Sequence, residues 1–338
     1  MMMPPHPLVV DAVRRNCDIA DARHAHEATL CTYLLQMREL YCWERGLPFG
    51  AQPARADVSR WIADREAAWQ SLENEDYVPL PLPSRPYEPF DAAAINQELL
   101  ADGLVYGAGL GRFHRPHFFL AELERIELRG DTRVIVTGRE IARDLTAVPA
   151  ALQGNTIHVR REALRRWLWE RVEFWRSRRT TGALARAIES WGLAAGDEAA
   201  FERMVAAETE TLILHEIGES RVGAMLGTGW EEMLDGLEDR RAEILARAVR
   251  DNLADCLSTL PALLERNAHA SLHFWFSQLD GMRRELFPAL AAAYPAWRDS
   301  GCSAVLAETV RTGAAHWERV AMDIMASPTR ADSRAFAL

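Results

Sequence analysis

A histidine and two glutamates share one face of a predicted helix in the second half of the chain. Glu208, His215 and Glu219 follow the pattern Glu-x6-His-x3-Glu, which places them within roughly 40° of one another on a helical wheel. Apolar residues occupy the same face, where a buried charge is unfavourable unless it is paired or binds a metal ion. The pattern therefore predicts a polar site, and the site could bind metal.

A second predicted helix carries a matching set of polar residues. His269, His273 and Asp280 also fall within roughly 40° of one another if one helix contains all three. Imidazole and carboxylate groups on facing helices bind iron, manganese or zinc in helical bundles. The predicted ligands are His215, Glu219 and His273, with Glu208, His269 and Asp21 as further candidates. A buried polar network without metal is the alternative for the same residues.

The residues from His215 to Glu219 come close to a zinc-peptidase motif. The motif His-Glu-x-x-His requires a second histidine, and this chain has Glu219 at that position. A zinc-peptidase activity is therefore disfavoured. Glu216 still lies about 100° around the helix from His215, so it is the candidate catalytic general base.

Three other acidic residues have more ordinary interpretations. Asp21, on a predicted first helix, could contribute to a shared polar centre, but pairing with arginines is the simpler expectation. Asp251 and Asp255 lie one turn apart, and Glu243 and Arg247 extend their face. This pattern predicts a solvated stripe, in which Asp255 is only a reserve ligand.

A glycine-rich segment leads into a cluster of basic residues at Arg112–His117. Arg112, His114, Arg115 and His117 would suit an anion or a nucleotide. The segment is not a dinucleotide fingerprint, because no predicted strand precedes it and no predicted helix follows. Anion or nucleotide binding there is the third functional hypothesis.

Composition narrows the class of protein. The 338 residues carry a net charge of −10, which disfavours general nucleic-acid binding. Apolar runs are too short to cross a bilayer, and the N-terminus lacks the features of a signal peptide. Five cysteines without a Cys-x-x-Cys pair indicate neither a disulfide framework nor a zinc ribbon. We therefore expect a cytoplasmic protein without a membrane partner, and an oligomer is allowed.

Periodicity predicts a mainly α fold, a multi-helix globule or bundle with a small antiparallel β-hairpin insert. Helices are predicted over residues 14–44, 57–72, 91–101, 139–145, 161–178, 197–226, 239–257, 262–286, 289–297 and 303–325. The hairpin is predicted within 118–136, after a loop at 103–111. The expected organisation is an N-terminal helical region (1–75), a segment containing a proline-rich strap, the glycine-rich loop and the hairpin (76–150), and a C-terminal helical bundle (151–330) packed with 1–75.

Four segments together resemble a family of uncharacterised bacterial proteins of about this length. They are residues 17–24 (CDIADARH), 33–41 (YLLQMRELY), 134–140 (VIVTGRE) and 247–256 (RAVRDNLADC). The resemblance covers most of the chain and implies a bacterial, single-unit protein, but no activity, cofactor or catalytic residue. The leading hypothesis from the residues is a helical metalloprotein, either an oxidoreductase or a hydrolase, whose substrate the sequence does not indicate. The alternative is a non-enzymatic interaction or scaffold protein.

Overall fold

The computed structural model describes residues 7–111, 114–179, 181–193, 196–237, 239–326 and 336–338. Most of these residues are α-helical, which confirms the mainly α prediction. The chain forms two compact units, residues 1–169 and 170–338. The described helices include none with the length and apolar character of a membrane span.

The N-terminal unit begins with helices. They are α1 (Pro7–His24), α2 (Leu30–Glu44), α3 (Arg55–Gln70) and α4 (Ala92–Leu99), and the short strands β1 (Leu80–Pro81) and β2 (Pro86–Tyr87) pair before α4. The single helix predicted over residues 14–44 is wrong. A 3-10 turn at Ala25–Glu27 interrupts it, and the Thr29 side chain accepts a hydrogen bond from the Thr32 amide to begin α2. A threonine in this position stabilises a helix start by satisfying an unpaired amide.

A five-stranded mixed sheet replaces the small hairpin that the sequence predicts. Its strands are β3 (Leu104–Leu110), β4 (Pro116–Arg129), β5 (Thr132–Arg143), β6 (Ala150–Gln153) and β7 (Thr156–Arg160), in the order β3-β4-β5-β7-β6. The hairpin is present as β4 and β5, whereas β5 and β7 pair in parallel. The insert prediction is therefore wrong in extent and in strand direction.

Two strands occupy segments that the sequence analysis assigned differently. The predicted loop at 103–111 contains β3, where Gly107 lies under the ring of Phe119 on β4; a Cβ at Gly107 would be 1.9 Å from that ring. The helix predicted at 139–145 is the end of β5 instead. Residues Ile141 and Ala142 are both buried there, so the strand lacks the alternation that would have identified it.

One face of α1 covers the sheet. Val13, Cys17 and Ala20 pack in the same buried cluster as Phe118 and Leu120 of β4. The Cys17 thiol donates a hydrogen bond to the Phe118 carbonyl oxygen at 3.3 Å. The thiol is thus a buried structural group of the N-terminal unit.

The rest of the described chain is helical. It comprises α5 (Arg161–Arg178), α6 (Ala183–Trp191), α7 (Glu198–Leu226), α8 (Thr228–Asp235), α9 (Arg240–Ala254), α10 (Leu260–Glu265), α11 (His269–Ser277), α12 (Gly281–Leu286), α13 (Pro288–Ser300) and α14 (Ala304–Ala326). A π-helical segment, Asp255–Thr259, joins α9 to α10. Single π-helical turns inside α-helices occur frequently at functional sites.

The helix predicted over residues 262–286 is divided into three. Asn267 adopts a φ of 51° between α10 and α11, and Gly281 adopts a φ of 49° at the start of α12. Asp280 is extended at the N-terminal boundary of α12, outside α11. The prediction that Asp280 shares one helix face with His269 and His273 is therefore wrong.

The core of the C-terminal unit brings α7, α9 and α14 together. Val222 of α7, Val249 and Leu253 of α9 and Trp317 of α14 are each essentially inaccessible to solvent and belong to one buried cluster. The Trp317 ring meets Phe287 edge-on, with 5.3 Å between ring centroids. This packing fixes α7 and α9 against each other and so positions their polar side chains.

Candidate functional site

Helix α7 carries the His/Glu pattern, and its predicted boundaries are confirmed. The Asp197 side chain accepts a hydrogen bond from the Ala199 amide at 2.9 Å, and the helix ends before Gly227. Aspartate satisfies an unpaired amide and favours the positive end of the helix dipole. Glu208, His215 and Glu219 thus project from one continuous helix.

His215 is held between two carboxylates. Its Nδ1 lies 2.9 Å from Asp255 Oδ1, and its Nε2 lies 3.4 Å from Glu219 Oε1. Burial lowers the pKa of His215, but the charges and hydrogen bonds of Asp255 and Glu219 outweigh burial and raise that pKa well above its usual value. The imidazole is therefore oriented through Nδ1, while Nε2 faces Glu219.

Glu219 joins the histidine to an arginine. Its Oε2 accepts a hydrogen bond from Arg250 of α9, while Oε1 faces His215. Burial raises the pKa of Glu219, but the His215 hydrogen bond and the Arg250 charge oppose burial and bring it to about 2. Glu219 is therefore ionised at neutral pH.

Asp255, the first residue of the π-helical segment, is the second partner of His215. It is 1% exposed, and its Oδ2 accepts a hydrogen bond from Arg283 of α12. Burial raises the pKa of Asp255, but the charges of His215 and Arg283 more than compensate and lower it. The predicted solvated position of Asp255 is wrong, because this part of the helix faces α7 rather than solvent.

A glycine allows α7 to approach the helix that carries Asp255. A Cβ on Gly218 would lie 2.4 Å from the carbonyl oxygen of Ala254, the residue before Asp255. Only glycine permits this distance without a shift of backbone, because atoms that close overlap strongly. Gly218 therefore helps to set the distance from His215 to Asp255.

Asp251 completes a group of three side chains that could hold a metal ion. One ligand atom each from His215, Glu219 and Asp251 lie within 4.8 Å of one another, and no other such group occurs in the described parts of the chain. Burial raises the pKa of Asp251, and the nearby charges of Arg283 and His215 oppose that rise. Two of the predicted ligands, His215 and Glu219, are thus brought together with an aspartate that the sequence analysis did not select.

Glu216, the candidate general base, lies beside this cluster. It is 7% exposed, and burial together with the charge of Glu219 raises its pKa to about 7. A carboxylate with a pKa near 7 exchanges a proton readily at neutral pH. The general-base role of Glu216 stays a prediction, and its buried position next to His215 in the sequence is compatible with it.

Glu208 lies closer to the N-terminus of α7 than His215 and has neutral neighbours. It is 3% exposed, with the hydroxyl groups of Ser271 and Thr211 beside it. Burial raises its pKa to about 7, and the two hydroxyls only partly oppose this. Glu208 is not a member of the three-residue group.

Replacement of Glu208 by glutamine is expected to remove a pH-dependent loss of stability. The pKa of the buried carboxyl is about 7, above its ordinary value of 4.5. The neutral Glu208 carboxyl therefore makes its full contribution to the unfolding free energy below pH 4.5, and this contribution is lost as the pH rises towards 7. Between pH 4.5 and 6.5 the wild-type protein should lose about 2 kcal/mol of unfolding free energy relative to Glu208→Gln.

Urea unfolding over this pH range tests the prediction. Glu189→Gln, at an exposed position on α6, is the control and should follow the wild-type curve. A wild-type curve parallel to that of Glu208→Gln would show that Glu208 titrates normally.

His269 and His273 contact aromatic residues. His273 Nδ1 lies 2.9 Å from the Tyr294 hydroxyl, and its ring lies 4.9 Å from the Trp297 ring. His269 meets the same Trp297 edge-on at 5.6 Å. Burial lowers the pKa of His273 to about 4, so this imidazole is neutral at neutral pH. The two histidines form an aromatic cluster with α13.

Asp21 belongs to the N-terminal unit. Its Oδ1 lies 3.1 Å from an Arg115 nitrogen, and its Oδ2 accepts a hydrogen bond from the Leu145 amide at 2.8 Å. These contacts correspond to the arginine-pairing alternative for Asp21. Burial and the charge of Asp144 nonetheless raise its pKa well above the ordinary value.

Two of the basic residues proposed for anion binding, Arg115 and His117, have acidic partners within the fold. Arg115 pairs with Asp21, and His117 Nδ1 lies 2.9 Å from Asp144 Oδ2. Asp144 is almost inaccessible, so this ion pair is part of the fold. Arg112 lies outside the described residues. His114 is exposed and has a φ of 54°.

Asp251, Arg250 and Arg283 were not predicted as site residues from the sequence. One signal was available: Asp251 and Asp255 have the same four-residue spacing as His215 and Glu219. Two such pairs on antiparallel or crossing helices can meet along one turn of each helix. The arginines carried no comparable signal, because arginine is common on helix surfaces.

Together these features define a mainly helical protein with a five-stranded mixed sheet and a buried histidine–carboxylate–arginine cluster. Residues 8–160 match the N-terminal domain of a family of unknown function (DUF6866), and residues 165–337 match the C-terminal domain of the same family. The chain belongs to this family, which confirms the resemblance to an uncharacterised family. Neither the curated proteins nor the solved structures contain a significant match.

Proposed function

We propose that the C-terminal unit binds a divalent metal ion through His215, Glu219 and Asp251 and uses it in a hydrolytic reaction. The observation that carries this proposal is the convergence of their ligand atoms within 4.8 Å. Imidazole and carboxylate ligands suit zinc, manganese or iron. A three-residue set leaves positions for water and substrate, as in catalytic metal sites.

The surrounding contacts orient the atoms that would bind the ion. Asp255 engages His215 Nδ1, and Arg250 engages Glu219 Oε2. The atoms left facing each other are His215 Nε2 and Glu219 Oε1, at 3.4 Å. Metal-binding histidines and carboxylates usually have such partners, which fix the ligand orientation.

The separation of these two atoms also fits metal coordination. Bonds of about 2.1 Å in a tetrahedral site require ligand atoms about 3.4 Å apart. The observed distance from His215 Nε2 to Glu219 Oε1 is 3.4 Å. An ion could therefore be accepted by these two side chains with little rearrangement.

The buried carboxyl group of Glu216, next to the proposed ligand His215, supports a hydrolytic reaction, since it could transfer protons there. Its pKa of about 7 suits a group that accepts a proton from water and returns it to a leaving group. The ion would supply Lewis acidity at the reacting centre. Glu216 would perform the proton transfer, because it is buried and directly follows the proposed ligand His215 on α7.

Metal analysis tests the proposal directly. Wild-type protein purified without a histidine tag should retain or take up about one equivalent of zinc, manganese or iron. His215→Ala and Asp251→Asn should each lower the affinity at least about tenfold. Elemental analysis and metal titration measure both effects. Glu243→Gln, on the same α9 helix and paired with Arg247, is the control and should bind normally. Equal metal binding by wild type and Asp251→Asn would exclude this site.

A structural ion-pair network is the second candidate, and one observation favours it. Arg250 and Arg283 already supply positive charge to Glu219 and Asp255. In that case His215→Ala would destabilise the unit without changing metal content, as expected for a scaffold protein. Cytoplasmic location, bacterial origin, oligomeric state and the lack of a nucleic-acid partner stay predictions from the sequence.

A further inference from the structure

Arg250 divides its guanidinium group between two glutamates. Its Nη2 donates to Glu219, the proposed metal ligand, and its Nη1 lies 3.2 Å from Glu231 Oε1 on α8. The Glu219 side chain is 14% exposed, whereas that of Glu231 is 63% exposed. The two halves of the guanidinium therefore have an inner, buried partner and an outer, solvated partner.

The outer contact is the weaker of the two. Ion pairs at exposed positions contribute about 0–1 kcal/mol, because water and salt screen them and both side chains lose freedom. The Arg250 side chain itself is 18% exposed, so solvent reaches this end of the cluster. An incoming anion can replace Glu231 at Nη1 without disturbing the contact at Nη2.

The charge balance also favours an anion at this position. A divalent cation bound by Glu219 and Asp251 would neutralise both carboxylates. Arg250 would then keep a full positive charge beside the ion, since arginine stays protonated in proteins. Guanidinium groups and cations together bind the oxygen atoms of phosphate and carboxylate groups.

We propose that Arg250 Nη1 forms the oxyanion-binding subsite of the metal site, and that the Glu231 carboxylate occupies this subsite when no substrate is bound. This inference rests on the proposed metal site and assigns its substrate class, which is a molecule bearing a phosphate or carboxylate group. An oxygen atom of that group would take the place of Glu231 Oε1 at Arg250 Nη1. Glu231 acts as a weak internal competitor.

Phosphate binding to matched variants tests this assignment. Calorimetric titration of inorganic phosphate and acetate into Mn²⁺-loaded protein measures both affinities, and ³¹P line broadening reports phosphate close to the paramagnetic ion. Glu231→Gln should bind the preferred anion about threefold to fivefold more tightly than wild type, because the competitor is lost. Glu232→Gln removes the same charge from the adjacent exposed position and should bind as the wild type does.

Two Arg250 variants separate anion binding from folding. Arg250→Gln should lose about tenfold or more in anion affinity. Arg250→Lys keeps a positive charge for Glu219 but lacks the guanidinium fork, so it should fold while binding the anion weakly. The stronger of the phosphate and acetate responses identifies the substrate group.

The outcomes distinguish this inference from the proposed function. If the wild-type protein does not bind Mn²⁺, the metal site is overturned, and the calorimetric titrations on metal-free protein then show whether Arg250 still binds the anion. Equal affinities of Glu231→Gln and Glu232→Gln for both anions would overturn the subsite whether or not Mn²⁺ binds. Tighter binding by Glu231→Gln alone, abolished by adding Arg250→Lys, would establish it.

Discussion

Asp255→Asn is expected to lower the unfolding free energy by about 3–5 kcal/mol, one of the largest effects of any single substitution in the C-terminal unit. Asp255 is 1% exposed and contacts both His215 and Arg283. Removal of its charge takes the buried ion-pair partner from Arg283 and leaves His215 with Glu219 as its remaining carboxylate partner, so part of the desolvation is no longer compensated. Chemical denaturation of metal-free protein, followed by tryptophan fluorescence, measures the change.

A double variant shows whether the loss arises from the ion pair. When Arg283→Met is added to Asp255→Asn, much of the stability should return, because replacing both partners of a buried pair is often close to neutral. Asp299→Asn breaks an exposed pair with Arg298 and should change stability by less than about 0.5 kcal/mol. A loss below about 1 kcal/mol for Asp255→Asn would contradict the buried network.

Gly218→Ala should also be strongly destabilising, by about 3 kcal/mol, and should weaken metal binding. The added Cβ would meet the Ala254 carbonyl oxygen at 2.4 Å, so α7 and the Asp255 helix must move apart. Overpacking of this kind usually costs about 1–3 kcal/mol and more when backbone must shift. The movement would also lengthen the contact between His215 and Asp255.

Gly223→Ala provides the matched control on the same helix. A Cβ at Gly223 meets nothing within 4 Å, and alanine favours helix over glycine by about 1 kcal/mol. This variant should be as stable as wild type or more stable, and it should bind metal normally. Similar stabilities for Gly218→Ala and Gly223→Ala would show that the close approach of the two helices is unimportant.

Much of the helical structure could be predicted because its signals are local. Asp197 and Gly227 bound α7, and periodicity alone defined α5. The sheet was harder to predict, because Gly107 of β3 is required for packing under Phe119 rather than for a turn. The parallel pairing of β5 and β7 depends on long-range contacts that no local pattern contains.

Half of the candidate site could be predicted for the same reason. His215 and Glu219 share one face of a single helix, and that face was evident from their spacing. Asp251 and Asp255 were assigned to solvent because Glu243 and Arg247 continue their stripe. The structure shows that this polar stripe changes environment along α9. Glu243 and Arg247 pair with each other near its start, whereas Asp255, just after α9, contacts His215 of α7.

The prediction of one polar helix over residues 262–286 was wrong at a break that the sequence did indicate. Asp280-Gly281 is a dipeptide typical of turns, and Gly281 adopts a φ of 49°. The helical spacing of His269, His273 and Asp280 is therefore coincidental. Asp280 therefore lies outside α11, the helix that carries His269 and His273.

The π-helical segment sets the rotational phase of the residues that follow it. Because a π turn holds more residues than an α turn, the faces of α9 and α10 are offset from the orientation that an uninterrupted α-helix would give. The Asp255–Thr259 segment thus lets α9 present Arg250 and Asp251 to α7, while Leu260 and Leu263 of α10 still enter the core. Deletion of one residue there would turn α10 by about 100° about its axis, exchanging buried for solvated positions while leaving the composition nearly unchanged.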